Sequence, residues 1–257
     1  MRGPNPLRIA WSVADALRTT RRPAPTGSAT VEHEELASVL DALRAGGVAT
    51  LPDRRRQLAE YRKRLEQIEP DDLGRTGALA FWLNLYNAGA LDLVAAAQAD
   101  GASSVIRVPG GFTQEWATVA GERLSLDAIE HGKIRRFGDS RIHGALVCGS
   151  ASCPTLRFEP YRGTDLETQL DAQMRGFLAS GGAVVESDVL HLSRIFLWYG
   201  GDFVIPHRMP VFRPASRRSI ARSLIPWLER TAAGLASSPG AVIRFRPYDW
   251  SLACTVR

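Results

Sequence analysis

Cysteine is scarce in this chain, with three residues among 257, at positions 148, 153 and 254. An odd number that small builds no disulfide framework, and a chain of this length folds without covalent staples. A reducing, cytoplasmic setting is therefore expected. Long apolar runs are missing too, since no stretch approaches the ~20 residues a membrane-spanning helix needs. The N-terminal MRGPNPLRIAWSVADALRTTRRPAPTGSA has an early arginine but no uninterrupted apolar core of about 7–15 residues, because Asp15 and Arg18 break it. Secretion by a standard signal peptide and a membrane partner are both set aside.

Other absences narrow the chemistry. There is no CxxC knuckle, no HxxxH helical pair, and no glycine-rich loop leading to a lysine. No internal repeat is found. The net charge of +5 is spread as scattered arginines, with clusters at Arg54-Arg55-Arg56 and Arg217-Arg218, and no basic stripe carries interleaved aromatics. Nucleic acid is not an expected partner, and no cofactor is expected.

What is present suffices for a core. Hydrophobic residues make up 45% of the chain and charged residues 23%, which excludes global disorder. Residues 20–30, TTRRPAPTGSA, read as linker, so residues 1–30 are expected to be a flexible leader and 31–257 a single globular domain. Helical spacing of Leu36, Val39, Leu40 and Leu43 ends at Gly46-Gly47. Asp53 is the expected N-cap of a second helix carrying Leu58, Tyr61, Leu65 and Ile68. A third, from about Thr76 to Ala99, is apolar on nearly all sides and reads as the central helix.

Downstream, Val105–Val108 and Trp116–Val119 read as a hairpin, Ser125 as the cap of a helix, and IHGALVCG as a short buried strand. Thr164–Leu178 has helical spacing, a hairpin turns at Ser187-Asp188, one helix lies near 219–233, and Ala241–Phe245 is a last strand. The expected class is α+β, with helices around a small, mostly antiparallel sheet.

Two asparagines in the apolar central helix, Asn84 and Asn87, lie one turn apart and must meet polar partners. Those partners are either backbone groups of a neighbouring loop or a site. Cys153 follows the small residues Gly149-Ser150-Ala151-Ser152 and precedes Pro154, where a turn can present a thiol; Cys148 sits in the apolar run and reads as core. Strand alternation would turn His143 and Cys148 to opposite faces. Gly200-Gly201 reads as a turn, and Trp198, Tyr199 and Phe203 as core or cleft wall.

The stretches FWLNLYNA (81–88), LSLDAIEH (124–131), DSRIHGALVCGSASCPTL (139–156), IFLWYGGDF (195–203) and YDWSL (248–252) resemble, in order, the motifs of a bacterial and plant family known as domain of unknown function five-four-seven. On this reading the likeness runs from about residue 31 to the C-terminus. It implies a fold and a set of polar positions, carried onto Asn84, Asn87, Glu130, His131, Arg141, His143, Cys148, Cys153 and Asp202, but no reaction. Ala253 departs from the asparagine usual after YDWSL.

Three functions are compatible with these residues. A thiol-dependent hydrolase or acyl transferase would use Cys153 as nucleophile, His131 or His143 as base, and Asp202 to orient the imidazole, on a small-molecule or peptide substrate. Asn84, Asn87, Glu130, Arg141 and Cys148 would orient groups or bind substrate. Alternatively, the polar cluster is the buried network of a non-catalytic interaction module, or the histidines and cysteines hold zinc.

Overall fold

The computed structural model describes residues 6–254 and 256, with side chains from Trp11 onward. The chain is α+β, and its residues divide into two compact units. The first comprises residues up to Phe137, Leu146–Leu166 and the segment from Asp249 onward; the second comprises Gly138–Ala145 and Glu167–Tyr248.

The first unit begins with α1 (Pro6–Thr19), in the stretch expected to be leader. Residues 1–5 lie outside the described residues. Val13 and Ala16 are buried, Arg136 donates to the carbonyls of Leu17 and Thr20, and Arg21 N–H donates to Glu122 at 2.8 Å. Ala24 N–H then donates to the Asp71 carboxylate, and Thr26, Gly27 and Ala29 bond to the backbone carbonyls of Asp71 and Asp72. A short amphipathic turn thus becomes an ordered helix because partners distant in sequence take up its free carbonyls.

The helices α2 (Glu34–Gly46) and α3 (Leu51–Leu65) follow the apolar spacing, burying Leu36, Val39, Leu40 and Leu43 on one and Leu51, Leu58, Tyr61 and Leu65 on the other. Gly47, at φ +68°, closes α2 by donating its N–H to Leu43. The start of α3 differs from expectation: Thr50 is the N-cap, Pro52 lies in the first turn, and Asp53 follows inside it. Proline has no N–H to lose there, so it sets the boundary. The helix α4 (Arg75–Ala99) is buried almost all round. By length and composition it could cross a membrane, contrary to the reading that no stretch approaches that length. Yet 94% of its most apolar 18-residue window is buried against this protein, as in a core helix.

The first hairpin pairs β1 (Glu115–Val119) with β2 (Glu122–Ser125), not Val105–Val108 with Trp116–Val119. Val105–Arg107 is a 3-10 turn instead. Ala120 and Gly121, both at positive φ, make the tight reversal that right-twisted strands favour and that pins this register. Ser125 caps α5 (Leu126–Gly132) as expected, its hydroxyl accepting from Ala128 N–H at 3.1 Å.

Ser12 of α1 donates to Asp127 of α5 at 2.5 Å, and burial pushes the Asp127 carboxyl up to about 7, Glu130 adding to the rise while Ser12 opposes it. A carboxyl that holds its proton more tightly when folded stabilises the fold at low pH and loses that contribution as pH rises through its folded value. Stability from this group should therefore fall between about pH 4 and pH 7. Urea midpoints taken across that window should drop more steeply for the parent than for Asp127→Asn, and parallel profiles would refute the assignment.

In the second unit, IHGALVCG does not form a strand. Ile142–Ala145 is a single helical turn, α6, and the residues after it are irregular. Asp139 starts the turn by accepting Arg141 N–H at 2.9 Å, and Gly144 lets the backbone approach Met174. Local side-chain capping outweighs the apolar run, so the alternation that separated His143 from Cys148 does not apply. The helix α7 (Leu166–Phe177), in this unit from Glu167, precedes β3 (Ala183–Glu186) and β4 (Val189–Leu192). These strands pair about Ser187-Asp188, both at positive φ.

The helices α8 (Ile195–Trp198) and α9 (Gly200–Val204) follow, and Gly200-Gly201, expected to be a turn, opens α9. The helix expected near 219–233 is broken into α10 (Arg217–Ser223) and α11 (Arg230–Ser237), because Pro226 lacks the N–H that would continue it. The last strand, β5 (Val242–Phe245), pairs with β4 in parallel. Described strands thus form two small sheets rather than one, and mostly antiparallel pairs. Leu190, Leu192, Phe196, Phe203, Ile220 and Leu224 form the second unit's core.

Candidate functional site

In the first unit the polar face of α4 holds the cysteine segment at two points. Asn84 pairs with the backbone of Tyr161, donating Nδ2–H to its carbonyl at 2.8 Å and accepting its N–H at 2.9 Å. Asn87 Oδ1 accepts Val147 N–H at 3.1 Å, one residue before Cys148. Both asparagines are buried, and backbone groups of a loop meet the Asn84 amide and the Asn87 carbonyl oxygen. Asn84, Asn87 and Tyr161 line a narrow recess with Leu36, Leu40 and Arg157.

Between those anchors the chain folds into a tight loop. Cys148 donates its backbone N–H to the Cys153 sulfur at 2.9 Å, and the two sulfurs stand 2.6 Å apart. Cys148 Sγ also lies 3.0 Å from Ser150 Oγ, and Cys153 N–H donates to Ser150 O at 3.0 Å. Gly149 takes φ +78°, and any Cβ there would collide with Val94. Only glycine fits that turn. Both cysteines are partly exposed, so Cys148 is not the core residue expected.

The C-terminal segment clamps this loop. Ala151 and Ser152 donate backbone N–H groups to the carbonyls of Ser251 and Asp249 at 2.9 and 3.2 Å. Ser152 Oγ accepts from Asp249 N–H at 2.8 Å, and Ala253 N–H reaches Gly149 O at 3.1 Å. Position 253 thus contributes a backbone N–H to the loop. Cys254 is buried, and burial, with a smaller effect of Cys148, pushes its thiol up to about 12.

His131 and Glu130 are buried in the same unit. The imidazole Nδ1 lies 3.6 Å from Glu130 Oε1 and 3.4 Å from Arg135, while Tyr86 donates its hydroxyl to Glu130 Oε2 at 3.1 Å. A further buried histidine, His33, lies 2.6 Å from Tyr61 Oη through Nδ1, and burial, with Arg64 nearby, lowers it to about 4.

The second unit holds the remaining positions. His143 Nε2 lies 2.9 Å from Asp202 Oδ2, both essentially sealed from solvent. The other Asp202 oxygen accepts Val211 N–H at 2.7 Å, and the imidazole stacks on Tyr199 at 4.1 Å with Phe203 at 5.5 Å. Phe203 is core, Tyr199 packs partly buried against that core, and Trp198 is exposed beside Tyr248. Arg141 is held by Asp139 at 2.6 Å, Glu167 at 2.5 Å and Asp171 at 3.3 Å, and its guanidinium is raised by Asp139 first and by Glu167.

The structure thus brings Asn87, Cys148 and Cys153 together in one unit and His143 with Asp202 in the other. Tyr161, Ser150, Ser152 and the backbone of 249–253 escaped the sequence reading. Only YDWSL hinted at the last of these. Among the described residues, no cluster of three or more His, Cys, Asp or Glu side chains is placed to hold a metal ion.

Residues 70–178 match the family described as "Protein of unknown function, DUF547". The match takes in the motifs at 81–88, 124–131 and 139–156 and leaves out those at 195–203 and 248–252. No curated protein and no solved structure matches the chain.

Proposed function

We propose that the chain is a thiol-dependent hydrolase or acyl transferase with Cys153 as its nucleophile. One observation carries this reading: the Cys153 sulfur, on a glycine-permitted turn, accepts a backbone N–H from Cys148. An N–H aimed at sulfur favours charge on it, and the thiolate is the form that attacks. The imidazole of His131, in the same unit, takes the thiol proton. The sulfur then bonds to an acyl carbon, the leaving group departs with that proton, and water or an acceptor nucleophile releases the acyl group. Asp202 serves to hold the His143 ring, and its distance of 2.9 Å fits that role.

Incubated with p-nitrophenyl acetate at neutral pH, the reduced protein should release a burst of nitrophenolate near one equivalent and carry an acetyl group on Cys153. Cys153→Ala should lose both. An undiminished burst in that variant would overturn the proposal. Replacement of that base, as His131→Gln, should slow acylation about 100-fold.

A second reading, a non-catalytic interaction module, is favoured by the way Asn84 and Asn87 spend their amides on backbone groups.

A further inference from the structure

We infer that Cys148 and Cys153 form a reversible disulfide that caps the nucleophile when a peroxide reaches it. The capping role rests on Cys153 being the nucleophile; the bond itself does not. The sulfurs lie 2.6 Å apart, within about 0.6 Å of the ~2.05 Å of a disulfide. They face each other across a turn only five residues long in sequence separation, closed by the Cys148 N–H to Cys153 bond. Little further motion is needed to join them.

The surroundings favour this pairing over others. Gly149 at φ +78° and the bonds from Ala151, Ser152 and Gly149 to the C-terminal segment hold the turn in its closed form. Holding two thiols in place raises their effective concentration for one another. Both cysteines are partly exposed, whereas Cys254 is buried and its thiol keeps its proton at neutral pH. Cys254 is therefore a poor competitor.

The chemistry balances with a peroxide as oxidant. The Cys153 thiolate attacks one oxygen of hydrogen peroxide, the O–O bond breaks, and Cys153 becomes a sulfenic acid as the other oxygen takes up the proton the thiol gave up and leaves as water. The Cys148 sulfur then attacks the sulfenyl sulfur, the S–S bond forms, and the sulfenic oxygen leaves as a second water. Each sulfur gives up one electron and the peroxide takes two. A dithiol reductant reverses the bond by thiol–disulfide exchange.

Trypsin reads the result directly, because no Lys or Arg separates the two cysteines between Arg141 and Arg157. After limited hydrogen peroxide and digestion without reductant, peptide 142–157 should be lighter by two hydrogens and refuse iodoacetamide. Dithiothreitol should restore both thiols and, in the intact protein, the acylation burst. With Cys148→Ser, peroxide should carry Cys153 on to the sulfinic acid. The inference is overturned if the peptide keeps two alkylatable thiols, if Cys153 in the parent goes straight to the sulfinic acid, or if the bond forms to Cys254. A linked peptide from a protein that, when reduced, never acylates at Cys153 would overturn the nucleophile reading and the capping role with it.

Discussion

Asp202→Ala should destabilise the fold by about 3–5 kcal/mol, the cost typical of breaking one partner out of a buried pair. Its carboxylate is fully buried, one oxygen 2.9 Å from His143 and the other accepting Val211 N–H. Alanine leaves the imidazole facing aromatic rings with no acceptor in that direction, and leaves a cavity as well. Asp202→Asn keeps the shape and one acceptor, so it should cost less, roughly 1–2 kcal/mol. Urea denaturation at constant slope checks both. A loss within about 1 kcal/mol for the alanine variant would mean that solvent or another donor repairs the gap.

Residue type made some of this visible from sequence and hid the rest. Amides at 84 and 87 within an apolar helix demanded partners, and a serine ahead of LDAIEH announced a cap, because these side chains carry donors or acceptors that burial must satisfy. The Ser187-Asp188 hairpin was legible for the same reason. By contrast, the clamp from residues 249–253 consists mostly of backbone bonds, which any residue can make, so nothing in their identity signals it. The helical turn at 142–145 was hidden because an apolar run fits strand or buried helix equally, and Asp139 decided between them. The leader read as linker because its helix is stabilised by tertiary partners such as Arg136 and Asp127 rather than by its own propensity. Pairing of sulfurs 148 and 153 was obscured by placing one of them in a strand that does not form.

Asn84→Ala should be nearly as damaging as the loss of Asp202, at about 2–5 kcal/mol, because it strands two backbone groups at once. The Tyr161 N–H and carbonyl both end on the Asn84 amide, inside a site where the side chain is 1% exposed. Asn84→Asp should rescue little: one carboxylate oxygen can still accept the N–H, but the other meets the Tyr161 carbonyl, acceptor against acceptor. Thermal or urea unfolding measures the loss, and a midpoint unchanged from the parent would deny that the amide and Tyr161 are paired. The same variant separates two roles for the amide. At temperatures where it stays folded, acylation at Cys153 should persist if Asn84 only fastens the far end of the cysteine segment, since Asn87 still anchors Val147 at the near end. Loss of acylation in a folded Asn84→Ala protein would instead place the amide among the groups that set the thiol's position.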